Sequence, residues 1–140
     1  FGPVPEELRA KHQACMEVDT AINLNTVPGK TSSELYDVLE KAYADRGFAD
    51  EIRLHHQGGL TGYKARHWIA QPGGTHLVEA STVYAWNPSI AGTKSEDSVY
   101  VPRDGSPPEV LTASPGWPVV TVTLPGLGTM QRPDILVRDP

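Results

Sequence analysis

The chain changes its hydrophobic period once, and that change most restricts what it can fold into. As far as Gly47 the apolar residues recur at helical spacing. From Ile52 onward they come as short extended runs separated by glycine and proline. Leu8, Cys15, Val18 and Ile22 are separated by seven, three and four positions and share one face of a helix. Pro5 suits the first turn of that helix, and Glu6 and Glu7 complement the positive end of its dipole. Val27-Pro28-Gly29-Lys30 breaks the pattern. Thr31 and Glu34 then have the spacing of a capping box, in which hydroxyl and carboxylate each take one free backbone N–H. Leu35, Val38, Leu39, Ala42 and Tyr43 form the stripe of a second helix, with Gly47 as its stop. Both stripes are expected to face one sheet.

In the second half, Thr75–Glu79, Thr82–Trp86, Ser98–Val101 and Glu109–Thr112 read as strands, the last two joined across an Asp104-Gly105 turn. Residues 118–124 form a further run of strong β-propensity with proline at its first position, and Asp134–Arg138 closes the chain as another extended segment. Two helices followed by several antiparallel strands imply an α+β architecture, two helices packed on an antiparallel sheet, in a single domain over residues 1–140.

Composition excludes several classes of function. The net charge is −5, without a basic block or an aromatic–arginine stripe, so nucleic acid is not an expected partner. No apolar run approaches the ~20 residues of a membrane span, so no membrane partner is expected either. Cys15 is the only cysteine, which excludes an internal disulfide and suits a reducing compartment, the cytoplasm.

The chemistry-bearing stretch is Leu54-His55-His56-Gln57-Gly58-Gly59-Leu60-Thr61-Gly62, followed by Arg66-His67-Trp68. Glycines lack a Cβ and let other groups crowd into a small space, and a histidine at the mouth of such a run can shuttle a proton or bind a metal. The same residues also fit a tight turn carrying a surface histidine. His12, alone on its helix, reads as a packed residue rather than a ligand. Trp68, Trp86 and Trp117 are candidates for a pocket wall, although aromatics in a small sheet are usually core.

In order along the chain stand Val27-Pro28-Gly29-Lys30-Thr31, His55-His56-Gln57-Gly58-Gly59, Asn87-Pro88-Ser89, Glu96-Asp97-Ser98-Val99-Tyr100-Val101 and Glu109-Val110-Leu111-Thr112. Together, from Pro5 to Thr112, they resemble the second half of the pita-bread domain shared by creatinase, prolidase, aminopeptidase P and methionine aminopeptidase. The resemblance implies that the chain is the C-terminal part of a longer domain. Peptidases of this family hold two metal ions with two aspartates, one histidine and two glutamates, whose hard oxygen ligands lower the pKa of a shared water. His56 matches the histidine, with His55 as the second choice, and Glu96 matches the last glutamate. Asn87 stands where the other glutamate belongs, and the aspartates would precede Phe1. With two of those ligands present, no metal site is expected unless residues upstream of Phe1 complete one.

The resemblance therefore implies a hydrolase of C–N bonds of the Xaa-Pro peptidase or creatinase type, working on a small peptide or an amidino compound. In the creatinase scheme a histidine transfers the proton without metal. His56 and Glu96 are the expected catalytic pair, with Glu96 orienting water or substrate, and imidazole suits the proton transfer because its pKa lies near neutrality. Arg66, whose planar fork matches a carboxylate, and His67, His55 and Asn87 are the expected substrate-binding residues. The alternative is a catalytically silent relative that keeps the fold for binding or dimerisation, as a homodimer or packed against the missing N-terminal part.

Overall fold

The computed structural model describes residues 2–138. Helix α1 runs Glu6–Asn25 and helix α2 Ser32–Asp45, both where the periodicity places them. α1 ends where the Thr26 hydroxyl donates back to the Ile22 carbonyl (2.7 Å) and the Pro28-Gly29 turn follows. The capping box at α2 is complete. Thr31 Oγ1 accepts from the Glu34 N–H at 3.1 Å, and the Thr31 N–H donates to Glu34 Oε2 at 2.7 Å. Thr31→Ala is expected to cost about 1 kcal/mol in a urea melt without changing the fold.

A 3-10 turn, Glu51–Arg53, leads into nine short strands. They are β1 Gly58–Thr61, β2 Trp68–Ile69, β3 Thr82–Trp86, β4 Ser89–Ile90, β5 Thr93–Lys94, β6 Asp97–Val101, β7 Glu109–Val110, β8 Val119–Leu124 and β9 Gly128–Pro133. Five of them make an antiparallel sheet in the order β2-β1-β3-β6-β7, while β4–β5 and β8–β9 are separate hairpins. Trp86, Tyr84, Val99 and Val101 lie on one face of the sheet and form a single buried cluster with Cys15, Val18, Ile22, Leu35, Leu39 and Tyr43 from the helices. His12 is packed there too, its Nδ1 against the Thr93 hydroxyl and its Nε2 against the Pro133 carbonyl.

Two expectations are corrected. Thr75–Glu79 makes only an isolated bridge, Leu77 to Thr31, because its backbone is engaged by the loop before α2 rather than by a strand. Asp134–Arg138 is not a strand, and β8 pairs instead with β9, directly after the turn at Pro125-Gly126. The glycine pair is crowded, as its lack of Cβ atoms permits, and the crowding groups are backbone. A Cβ on Gly58 would stand 2.1 Å from the Ala85 carbonyl oxygen, and one on Gly59 2.1 Å from that of Trp68, so the crowding is by the neighbouring strands of the sheet itself.

The β8–β9 hairpin lies beyond the stretch that resembles the family, and a buried ionic cluster anchors it. Arg132 of β9 is fully buried, with Nη2 2.5 Å from Asp19 Oδ2 of α1 and 2.7 Å from Asp97 Oδ2 of β6. The Ser95 hydroxyl donates to the same Asp19 oxygen, and Asn23 Nδ2 donates to the other. Burial pushes the Asp19 carboxyl up to about 6 against the opposing pull of Arg132.

Candidate functional site

β1, β3 and β6 run side by side, with Gly58 opposite Trp86 and Trp86 opposite Asp97. One residue further out stand Gln57, Asn87 and Glu96, and the Asn87 N–H donates to the Gln57 carbonyl at 3.0 Å. Side chains alternate along a strand. Trp86 and Asp97, at the adjoining ends of β3 and β6, point toward the helices. The sheet register thus brings together residues that the sequence separates.

Gln57 is buried and holds this row in place. Its Oε1 accepts from the Tyr43 hydroxyl (2.8 Å), and its Nε2 donates to the His55 carbonyl (3.0 Å) and the Ile52 carbonyl (3.3 Å). The Tyr43 oxygen also accepts the Ser89 N–H at 2.9 Å, so α2 braces both sides of the site. His55 Nδ1 lies 2.6 Å from the His56 carbonyl. A carbonyl only accepts, so Nδ1 carries a proton, and Nε2 shares a hydrogen bond with the Ser89 hydroxyl. That second bond fixes the His55 ring.

His56 is the exposed histidine of the pair. Partial burial, then the charges of Arg66, His55 and Lys94, lower its pKa from the ordinary 6.5, with Glu96 opposing. The imidazole is therefore neutral at neutral pH and available as a base. Lys94 Nζ reaches the Asn87 carbonyl at 3.4 Å and stands 4.0 Å from Glu96. Two polar atoms here are buried without a partner among the described residues, Arg66 Nε and Asn87 Oδ1. Arg66 spends only Nη1, on its neighbouring Ala65 carbonyl.

His55, His56, Asn87 and Glu96 thus gather around one end of the sheet, joined by Lys94, whereas Arg66 precedes β2 beyond the Thr61 end of β1 and bears on this group only through its charge on His56. His67 does not join them. It lines a separate shallow groove with Leu60, Thr61, Ser81 and Val83, toward the other end of β1 and β3. Gln57, Tyr43, Ser89 and Lys94 were not legible as site residues. The only available signal was position, since Gln57 and Ser89 are embedded in the two motifs that carry the histidines and Asn87.

The donors present do not suit a dinuclear metal centre. Among the described residues no three of His, Cys, Asp and Glu come together, and the amide of Asn87 offers no anionic bridge. Cys15 is no ligand candidate, because its thiol donates to the Pro88 carbonyl (3.2 Å) and burial pushes its pKa up to about 12.

The chain matches no family model and no curated protein in sequence. Its backbone, however, superposes on the dipeptidase PepE from Mycobacterium ulcerans with a TM-score of 0.70, over 82% of this chain and 32% of that one, at 18% identity. The fold is the C-terminal half of a pita-bread domain. A prolidase from Pyrococcus furiosus is similar over 81% of this chain and 34% of its own (TM-score 0.69, 19% identity). A Xaa-Pro dipeptidase from Bacillus anthracis is similar over 82% and 33% (TM-score 0.66, 20% identity). The chain therefore spans about a third of the length of these structures, and at such identities the likeness is one of fold. No helix among the described residues is long and apolar enough to cross a membrane.

Proposed function

We propose that this pita-bread half contributes the proton-transfer side of a C–N bond hydrolase of the Xaa-Pro peptidase or creatinase type, with His56 rather than a metal-bound water at its centre. The observation that carries the reading is the arrangement at this end of the sheet of exposed His56, the Gln57-bound backbone of Asn87 and the Lys94–Glu96 pair, with Asn87 Oδ1 buried and without a partner among the described residues. Partial burial and the nearby cations favour the neutral form of the imidazole. In this scheme a ring nitrogen of His56 takes a proton from water or substrate and returns it to the leaving nitrogen. Glu96 orients the attacking water or a substrate ammonium. Arg66 receives a substrate carboxylate on its uncommitted edge, and Asn87 Oδ1 accepts from a substrate N–H. His67, in its separate groove, is left out of the substrate set. The substrates that fit are small peptides or amidino acids carrying a carboxylate, acted on in the reducing interior that a single buried thiol suits. The open face of the sheet would pack against the rest of the domain or a second copy.

The test is turnover of Xaa-Pro dipeptides and of amidino acids by the full-length protein in chelator-treated buffer. His56→Ala is expected to lower kcat by about 10²–10⁴-fold with little change in KM. Unchanged turnover in that variant overturns the assignment. Absence of turnover of both substrate classes by the wild type favours the second reading, a silent binding or dimerisation relative, to which the amide at Asn87 already points.

A further inference from the structure

A cavity of about 560 Å³ lies not at the histidine cluster itself but in a groove that begins at Glu96 and runs along the β8–β9 hairpin. One wall is Pro107, Pro108 and Val110, at the β7 edge of the sheet. The other is Trp117, Val119 and Met130, from the hairpin and the segment leading into it. More than half of this cavity's lining residues therefore lie outside the stretch that resembles the peptidase family. Trp117 spends its indole N–H on the Asp134 carbonyl (2.9 Å), which leaves only carbon facing the groove. The volume is that of a site for a small organic group, and its walls are largely apolar.

The electrostatics of the groove are one-sided. No Lys or Arg lines it. Of its two carboxylates, Asp97 is committed, one oxygen to the Thr112 hydroxyl (2.6 Å) and the other to Arg132 (2.7 Å). Glu96 is not. Its single ionic neighbour among the described residues, Lys94, stands at 4.0 Å, is half exposed and lies outside the groove. We propose that the groove binds an apolar, preferably aromatic, group attached to a protonated amine, as presented by the N-terminal residue of a peptide or amide. The ammonium meets Glu96 and the side chain lies between the proline wall and Trp117. This names a substrate class for the hydrolase reading and rests on it for turnover, since Glu96 joins the groove to His56; the binding itself does not depend on catalysis.

The test is a titration of the full-length protein, followed by Trp fluorescence and by NMR shifts around Trp117. The probes are phenylalaninamide, alaninamide (no ring), and hydrocinnamamide and N-acetylphenylalaninamide (no charge). Phenylalaninamide is expected to bind at least ~10-fold more tightly than the other three. Glu96→Gln is expected to reduce it to the level of hydrocinnamamide while leaving hydrocinnamamide unchanged. Ala113→Trp, at an exposed wall position, is expected to abolish binding of all ring-bearing probes while the far-UV spectrum is retained. His56→Ala is expected to bind normally. Phe-Gly-Gly and phenethylamine separate a peptide terminus from a free amine as the source of the same chemistry. Equal affinity for all probes, retained binding in Ala113→Trp, or no binding at the solubility limit overturns the proposal. If turnover is absent but the probe ranking holds, only the hydrolase reading falls. If turnover persists and the ranking is flat, only the groove assignment falls.

Discussion

Arg132→Met is expected to remove about 3–5 kcal/mol of stability, a large share of the ~5–15 kcal/mol typical of a domain. The side chains of Arg132 and Asp19 are 0% exposed and that of Asp97 10%, so removing the cation strands two carboxylates in a dry interior. Methionine fills nearly the same volume, which makes the charge rather than a cavity the cause. Asp19 and Asp97 belong to α1 and β6, so their repulsion acts on the joint between helix, sheet and hairpin. The loss should appear as a lower urea midpoint. Asp19→Asn in the same background should restore part of it, because the two sites share one partner. A change below ~1 kcal/mol would mean that the cluster is wetter than its burial implies. The unpartnered Nε and Nη1 of Arg132 set the scale of the compensating effect, since methionine also removes two buried donors that make no bond among the described residues.

This cluster also marks where sequence reading stops. The helices were legible because each carries its own period and its own punctuation, Thr31 and Glu34 at one end and Gly47 at the other. β3 and β6 were legible because their Val, Tyr and Trp residues suit a pleated surface. β1 was not, because Gly58 and Gly59 have no strand propensity and are held extended by β2 and β3 on either side. β9 was hidden by Gly128, Gln131, Arg132 and Pro133, which do not look like strand residues. Its signal lay in the turn instead. Leu124-Pro125-Gly126-Leu127 has proline and a positive-φ glycine (75°) at the two central positions, closed by the Leu127 N–H to the Leu124 carbonyl at 3.1 Å. By contrast, Ile135-Leu136-Val137 has the composition of a strand but pairs with none among the described residues. Arg132 itself was illegible in principle. A charge is buried only when its counter-charges arrive from elsewhere, and Asp19 lies at the other end of the chain.

The same carboxylate should give the fold an unusual pH dependence. Asp19 has a folded pKa of about 6, above the ordinary 3.8, chiefly because burial disfavours its charged form. A raised folded pKa means that the native state keeps a proton the unfolded chain has already released. The contribution of Asp19 to stability is therefore fully present below pH 3.8 and is lost as pH rises through about 6, amounting to about 3 kcal/mol. Glu7, Glu34 and Asp104 act in the opposite sense, their pKa values being lowered by hydrogen bonds, and are exposed. His56, lowered in the folded state, also favours folding at higher pH. The prediction is thus a difference, read from urea melts of wild type and Asp19→Asn at intervals from pH 4 to pH 7. The asparagine stays neutral throughout, with Oδ1 toward Arg132 and Nδ2 toward Asn23, whose own Oδ1 has no partner among the described residues and can turn to accept it. Relative to wild type the variant should gain stability steadily as pH rises from 4 to 7. A flat difference would mean that Arg132 holds Asp19 ionised throughout, and that a single guanidinium neutralises two buried carboxylates at once.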